Sequence, residues 1–426
     1  FGGLFDTLMQ NLNHNETNGI VIGPEFSRIF SEIILQAVDV ELSKRLSEDA
    51  NLTHKVDYEI FRYVDDYFVF YNEESTQLKI IETLQAILKV YKLSINASKI
   101  KHYQKPIITE ITIAKNRIST LLNNEINPAT EEIVAEPPDE EGVIKLVCAV
   151  NSNRLIIRFK TVIKETSVTY GELLNYTLAI TENKIEKLFQ SYLVCDKTIH
   201  DQKHLLKALL AIMEFAFFVY SASPRVNHTI RLCRMITAST DFLCVNSLPY
   251  ELKHLLFKYV HDNVLQQLEK NAMNAHCEVE SLYLLISLSQ IGREYWLPES
   301  VLLRHFVITE DATQKYQRVG FMSHFSIKDK VRYAKLKAFT EEHIIRKLEY
   351  VKAHCHNDSE AMILLLDLIV CPYISPITKD TMGQIFGLDA TTLAAIRKTN
   401  DHWFTAWGGK FDLGKELDAK RSREVY

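Results

Sequence analysis

Hydrophobic residues in Glu25–Leu46, EFSRIFSEIILQAVDVELSKRL, recur at three- and four-residue spacing: Phe26, Ile29, Phe30, Ile33, Ile34, Ala37 and Val38. That period predicts one amphipathic helix. Gly23-Pro24 before it is a start signal, because the fixed φ of proline suits a first helical turn. The period then changes. Glu59–Tyr63 and Tyr67–Tyr71 are short runs of aromatic and β-branched residues, which predicts two strands with a very short connection. Helical spacing returns from about Glu74 to Tyr91, with Leu78, Ile81, Leu84, Ile87, Leu88 and Tyr91 on one side. A polar segment follows, Leu93–Lys99, and Ile107–Ile113, IITEITI, is expected to be a strand. Helix, hairpin, helix, strand in that order describes an α+β unit with a helix-backed antiparallel sheet.

Glu136–Gly142, EPPDEEG, has linker composition. Ile144–Val150 and Leu155–Ile163 are expected to form a two-stranded element. From about Tyr170 nearly every window has helical periodicity. Helices are expected over Tyr170–Leu193, Gln202–Ala222, Asn227–Val245, Pro249–Ala272, Glu278–Ile291, Val331–Cys355 and Ser359–Val370. Pro249, Pro298 and Ser359 mark helix starts. Successive helical hairpins follow one another at roughly regular spacing without a repeated signature. A degenerate α-repeat array fits this pattern, and an irregular helical domain is the alternative. The expected layout is an α+β domain over residues 1–128, a linker and short β element over 129–165, and an all-α domain over 166–426.

Composition narrows the options without deciding between them. The 426 residues are 47% hydrophobic and 24% charged, with a formal net charge of −5. Such a chain is no basic coat for nucleic acid, so any nucleic-acid site must be a local cationic channel. Its seven cysteines are scattered without a CxxC pair. That usage fits reduced thiols better than disulfides or a zinc ribbon. Neighbours in His354-Cys355-His356 would point in different directions on a helix, which favours a structural role. The opening FGGLFDTLMQ has no basic n-region. The most apolar run, Leu205–Ala222, contains Lys207 and Glu214 and is expected to be a buried helix and not a membrane span. A cytoplasmic protein with no membrane partner is the expectation.

The hairpin carries the candidate chemistry. In FRYVDDYFVF, Asp65 and Asp66 stand between two aromatic runs. Tight hairpins favour Asn-Gly or Asp-Gly, so Asp-Asp is a poor turn. Two carboxylates about 4 Å apart repel by roughly 4 kcal/mol at an effective dielectric near 20. A divalent cation reverses that sign, and hard oxygen ligands suit Mg²⁺. A solvated acidic turn is the bland alternative. A basic stripe, Arg225, His228, Arg231 and Arg234, falls on one predicted helix. It would hold phosphates or simply face solvent.

Three elements follow in order: Gly19-Ile-Val-Ile-Gly23-Pro24 leading into Ser27-Arg28, then Tyr63-Val64-Asp65-Asp66, then Asn96-Ala-Ser-Lys99. This arrangement resembles the palm of reverse transcriptases over roughly residues 17 to 115. In that family a Gly-containing motif precedes a helix, a Tyr-x-Asp-Asp hairpin carries metal ligands, and a lysine follows a Leu-x-x-Asn run. The form GIVIGPEFSRIFSEIIL, followed by a long helical region, is similar to the AbiK-like abortive-infection class of bacterial antiviral reverse transcriptases.

The resemblance implies a reverse-transcriptase palm followed by an all-α helical-repeat domain. It implies Mg²⁺ at Asp65 and Asp66. Lys99 would neutralise or protonate the pyrophosphate, and Tyr63 would lie near the primer end. Ile22, Gly23, Pro24, Ser27 and Arg28 would line the nucleotide and template site, with Arg231 and Arg234 as candidate phosphate contacts. It further implies dNTPs as substrates and DNA synthesis in phage defence, in some members untemplated and protein-primed. An oligomer, a non-coding RNA and a second reverse transcriptase are the implied partners.

Departures are visible. Ile22 replaces the usual Gln and Val21 the usual Pro, which weakens the expectation of templated copying. Ile100 replaces a Thr that often follows the lysine. A further metal-binding Asp and the fingers are expected upstream of the Gly-rich motif. Asp6 lies in a helical context, so the sequence is expected to be the C-terminal part of a longer polypeptide. The alternative reading is a catalytically silent palm whose helical domain assembles a defence complex.

Overall fold

The computed structural model describes residues 2–13, 15–17, 19–105, 107–133, 142–272, 278–306, 331–354, 359–371 and 374–399, with 415, 417 and 419. The chain divides into two compact units, Phe1–Ile107 and Ile108–Tyr426.

In the first unit, α1 (Gly2–Leu12) is followed by α2 (Glu25–Glu48), strands β1 (Tyr58–Tyr63) and β2 (Asp66–Tyr71), and α3 (Glu74–Val90). A short 3-10 turn, Ala97–Lys99, comes next. Aromatic packing ties α1 to α2: the Phe5 ring lies 4.8 Å from Phe30 and 6.5 Å from Phe26. The core of this unit joins Val38, Leu42 and Leu46 of α2, Tyr58 of β1, and Ile80, Leu84, Ile87 and Leu88 of α3. Antiparallel pairing runs from Tyr58↔Tyr71 to Tyr63↔Asp66. Period-two alternation turns Ile60, Tyr67 and Val69 toward that core. It leaves Phe61, Tyr63, Phe68 and Phe70 exposed on the other face.

IITEITI is not a strand. Helix α4 (Glu110–Glu125) begins within it, because Thr109 caps the helix by accepting a hydrogen bond from the Thr112 amide. Ala114, Ile118, Leu121 and Leu122 then continue a helical period into the core, and the longer pattern overrides the local alternation. Strand β3 (Ala129–Ile133) pairs with β4 (Val143–Val147). The second expected strand, Leu155–Ile163, is instead the middle of α5 (Ser152–Thr166). Asn151 caps that helix, and Leu155, Phe159 and Ile163 are buried at four-residue spacing. The composition of both segments is β-rich, but cap and period decide.

Helices α6 (Tyr170–Val194), α7 (Ile199–Ala222), α8 (Val226–Val245), α9 (Tyr250–Ala272), α10 (Glu278–Ile291) and α11 (Glu299–Phe306) follow. Together with α4 and α5 they enclose one large apolar core. Helices α12 (Ala334–His354), α13 (Ser359–Val370), α14 (Pro376–Ile385) and α15 (Ala390–Thr399) share a second, smaller core. Helix α7 is long and apolar enough to cross a membrane by length and composition. Its Leu205, Leu209, Ile212, Met213, Phe215 and Ala216 are fully buried within this unit. Each of the Leu, Ile, Met and Phe side chains contributes about 1.5–3 kcal/mol by burial. Most of the expected linker at Glu136–Gly142, and Cys355 and His356 of the His-Cys-His run, lie outside the described residues.

Candidate active site

The hairpin is closed by the Tyr63↔Asp66 pair, so Val64 and Asp65 form a two-residue loop. Val64 has φ of 56°, and Asp65 is not in the positive-φ region. This combination matches a type II′ turn, whose first loop position favours glycine. A β-branched residue there is strained by roughly 1–3 kcal/mol and persists only where its surroundings hold it.

Arg62 supplies that hold. It donates four hydrogen bonds: Nε to Asp39 Oδ2 at 2.8 Å, Nη1 to Glu32 Oε2 at 2.8 Å and to the Val64 carbonyl at 2.8 Å, and Nη2 to Glu32 Oε1 at 2.7 Å. Its side chain is 9% exposed. Tyr67 donates to the other oxygen of Asp39 at 2.9 Å. Glu32 and Asp39 are seven residues apart on α2, hence on one face two turns apart. The hairpin is therefore bolted to α2 through its inward-facing polar residues.

The electrostatics follow this network. Hydrogen bonding from Arg62 holds the Glu32 carboxyl down to about 2. Burial, reinforced by the bond to Asp39, pushes the Tyr67 phenol well above its ordinary range. The Arg62 guanidinium is held in its charged form chiefly by Glu32. Asp39 accepts from Arg62 Nε and from the Tyr67 hydroxyl, whereas Glu32, two turns nearer the start of α2, accepts from both Nη atoms, and Nη1 also grips the Val64 carbonyl. The tip therefore lies toward the N-terminal end of α2.

That end carries Ile22, Gly23, Pro24, Ser27 and Arg28. Gly23 has φ of 121°, which glycine tolerates and other residues rarely adopt. Ile22, beside it, is 97% exposed. Pro24 precedes the first turn in extended conformation. Ser27 is buried, and its hydroxyl finds no hydrogen-bond partner among the described residues. Arg28 is ion-paired locally with Glu25, and it also lowers the Glu32 carboxyl, so it reaches the same side of α2. Lys99 is exposed at the end of a 3-10 turn. Asn96 caps that turn by accepting from the Ser98 amide at 3.1 Å and the Ser98 hydroxyl at 2.7 Å.

Asp65 and Asp66 are exposed, and neither has a salt-bridge partner among the described residues. Asp66 shares the open face of the hairpin with Tyr63, which is 56% exposed. Two unpaired carboxylates on a rigid turn are hard oxygen donors that suit Mg²⁺. Among the described residues no group of three or more His, Cys, Asp or Glu side chains is gathered there.

The basic stripe does not face solvent as a row of free cations. Arg234 is 8% exposed and pairs with Glu182 of α6 at 2.5 Å. Arg231 donates to Asn175 at 2.6 Å and to Glu182 at 3.3 Å. His228 is buried, with Nδ1 2.8 Å from the Ser223 carbonyl oxygen. This face of α8 is a seam with α6, so the geometry gives Arg231 and Arg234 a structural role in place of the expected phosphate contact. Sequence reasoning missed Arg62, Glu32, Asp39 and Tyr67. The available signal was a charge at an inward-facing strand position, matched by acids seven apart on the preceding helix.

Residues 7–115 match the model of the family described as reverse transcriptase (RNA-dependent DNA polymerase). No curated protein and no solved structure matches the chain. The matched residues contain the Gly23 loop, α2, the Asp65–Asp66 hairpin with its Arg62 anchor, and Lys99, and this part of the chain is a domain of the reverse transcriptase type.

Proposed function

We propose that the chain polymerises deoxynucleotides with Mg²⁺ held at Asp65 and Asp66. The observation that carries this reading is the exposed carboxylate pair on a turn whose strained backbone is gripped by Arg62. When bound, the metal would activate a primer hydroxyl and stabilise the leaving pyrophosphate. Asp65 and Asp66 hold the site, and Arg62 fixes the turn that presents them. Tyr63 offers an aromatic face beside Asp66 for the primer end. Lys99 carries a proton and a positive charge for the pyrophosphate. Gly23 lets the backbone approach a flat ligand, with Ile22, Pro24, Ser27 and Arg28 around it.

The finer reading rests on the likeness of GIVIGPEFSRIFSEIIL to the abortive-infection class. It assigns DNA synthesis in phage defence, within an oligomer that includes further polymerase or RNA partners, and priming by protein. Ile22 in place of Gln supports weak dependence on an external template. Incubating the intact chain with Mg²⁺ and single labelled dNTPs, without template, tests this directly. Products of one or two nucleotide types are expected, whatever nucleic acid is supplied, and chelation of the metal should abolish them. Faithful copying of arbitrary added templates would contradict the untemplated reading.

A further inference from the structure

Helix α6 carries a feature that the hairpin chemistry does not use. Lys184 is 5% exposed, yet it lines an open groove of about 400 Å³ between α4 and α6. Its ammonium has no hydrogen-bond or ion-pair partner among the described residues. Burial lowers the pKa of this lysine, and Lys187, one turn further on, lowers it again. Cys148 is close enough to act on it, but burial pushes that thiol up to about 11, so it supplies no negative charge near neutrality. The stem is buried and the ammonium reaches solvent at the groove, which is where a counter-anion would meet it.

The rest of the lining shows what would pair with it. Asn123, Asn183 and Gln190 supply amide donors, Lys187 a second cation, and Glu186 the one acid. Lysines with amides suit an oxyanion whose several oxygens accept at once. The cationic strip also continues. Lys115 of α4 is exposed, with Nζ 5.5 Å from the centre of the Tyr176 ring. Lys115 precedes Asn123, and Tyr176 precedes Lys184, by eight residues each, which along a helix is about 12 Å. One small anion would use a single end of such a strip. A polyanion with flat bases would use both, phosphates on the lysines and a base against Tyr176.

We propose that the α4–α6 groove binds the phosphodiester backbone of a single nucleic-acid strand, with Lys184 and Lys187 meeting phosphate and Asn123, Asn183 and Gln190 completing the contacts. The choice of nucleic acid as the polyanion rests on the polymerase reading, whereas the oxyanion site rests on the groove alone.

The test uses the intact chain in chelator, so that catalysis plays no part. A labelled thymidylate strand of about 20 nucleotides is titrated by fluorescence anisotropy at several salt concentrations. Lys184→Met with Lys187→Met should weaken binding about tenfold or more and reduce the salt slope by about 1.4, at about 0.7 for each phosphate lost. Thermal stability should hold or rise, because a poorly solvated charge is removed while the stem volume is kept. Asn183→Asp, at an exposed rim position, should weaken binding in the same direction without touching the core. Unchanged affinity and slope in folded variants would overturn the proposal and leave Lys184 as a buried stem. Saturation by inorganic phosphate without any binding of the strand would also overturn it, leaving a lone anion site. The doubly substituted hairpin, Asp65→Asn with Asp66→Asn, should keep groove binding. Groove binding without nucleotide incorporation by the wild type would thus sink the polymerase reading and spare the groove, and incorporation without groove binding would do the reverse.

Discussion

At the scale of single residues, the site is a balance between repulsion and restraint. Asp65 and Asp66 were legible in the sequence because two like charges at an aromatic turn have no packing rationale. Arg62 was not, since an arginine in a strand reads as an outward charge until its partners on another element are known. Its four hydrogen bonds make it a positioning residue. Arg62→Met should destabilise the first unit by about 1–3 kcal/mol, because Glu32 and Asp39 are each about a third exposed and water can take over part of the lost bonding. It should also lower kcat for nucleotide incorporation more than it raises KM, since the turn and not the substrate loses its support. Arg62→Lys should recover stability better than kcat, because an ammonium cannot reproduce the fork that holds Val64. Denaturant unfolding alongside steady-state incorporation separates these two effects, and equal recovery of both would remove the positioning role.

At the scale of elements, the long amphipathic helices α2, α3 and α6–α10 followed from hydrophobic period alone, and the hairpin from its composition. Two short β-rich windows misled. Thr109 and Asn151 act as caps, and a cap three residues before the next helical amide is visible only if the apolar period is followed well past the window. The hairpin's attachment to α2 gives a pH signature. Glu32 has its folded value lowered from 4.5 to about 2 by Arg62. A depressed carboxyl contributes stability that is fully present above its unfolded value and is lost as pH falls through its folded value. The stability difference between wild type and Glu32→Gln should therefore be constant from neutrality to about pH 4.5 and shrink toward pH 2. Urea midpoints measured across that range check it, and a difference that grows on acidification would contradict the assigned pairing.

At the scale of the whole molecule, a reverse-transcriptase segment of modest size precedes a much larger helical unit. The helical character of the larger unit was readable, but the interior use of its charges was not. Arg231 and Arg234 look like a solvated stripe in one dimension, and only the neighbouring α6 reveals Glu182 between them. Glu182→Gln removes the acid shared by Arg231 and Arg234 and should cost about 3 kcal/mol. Thermal unfolding should move down accordingly, while the salt dependence of nucleic-acid binding stays as in the wild type. A changed salt slope with an unchanged midpoint would return the stripe to a phosphate-binding role. The central claim concerns the hairpin, and one measurement bears on it most directly: labelled dNTP incorporation by the intact chain with Mg²⁺, compared with Asp65→Asn combined with Asp66→Asn. The account predicts incorporation by the wild type, none by the double variant, and a melting temperature unchanged or slightly higher once the like charges are gone. Incorporation at the wild-type rate by the folded double variant would contradict it.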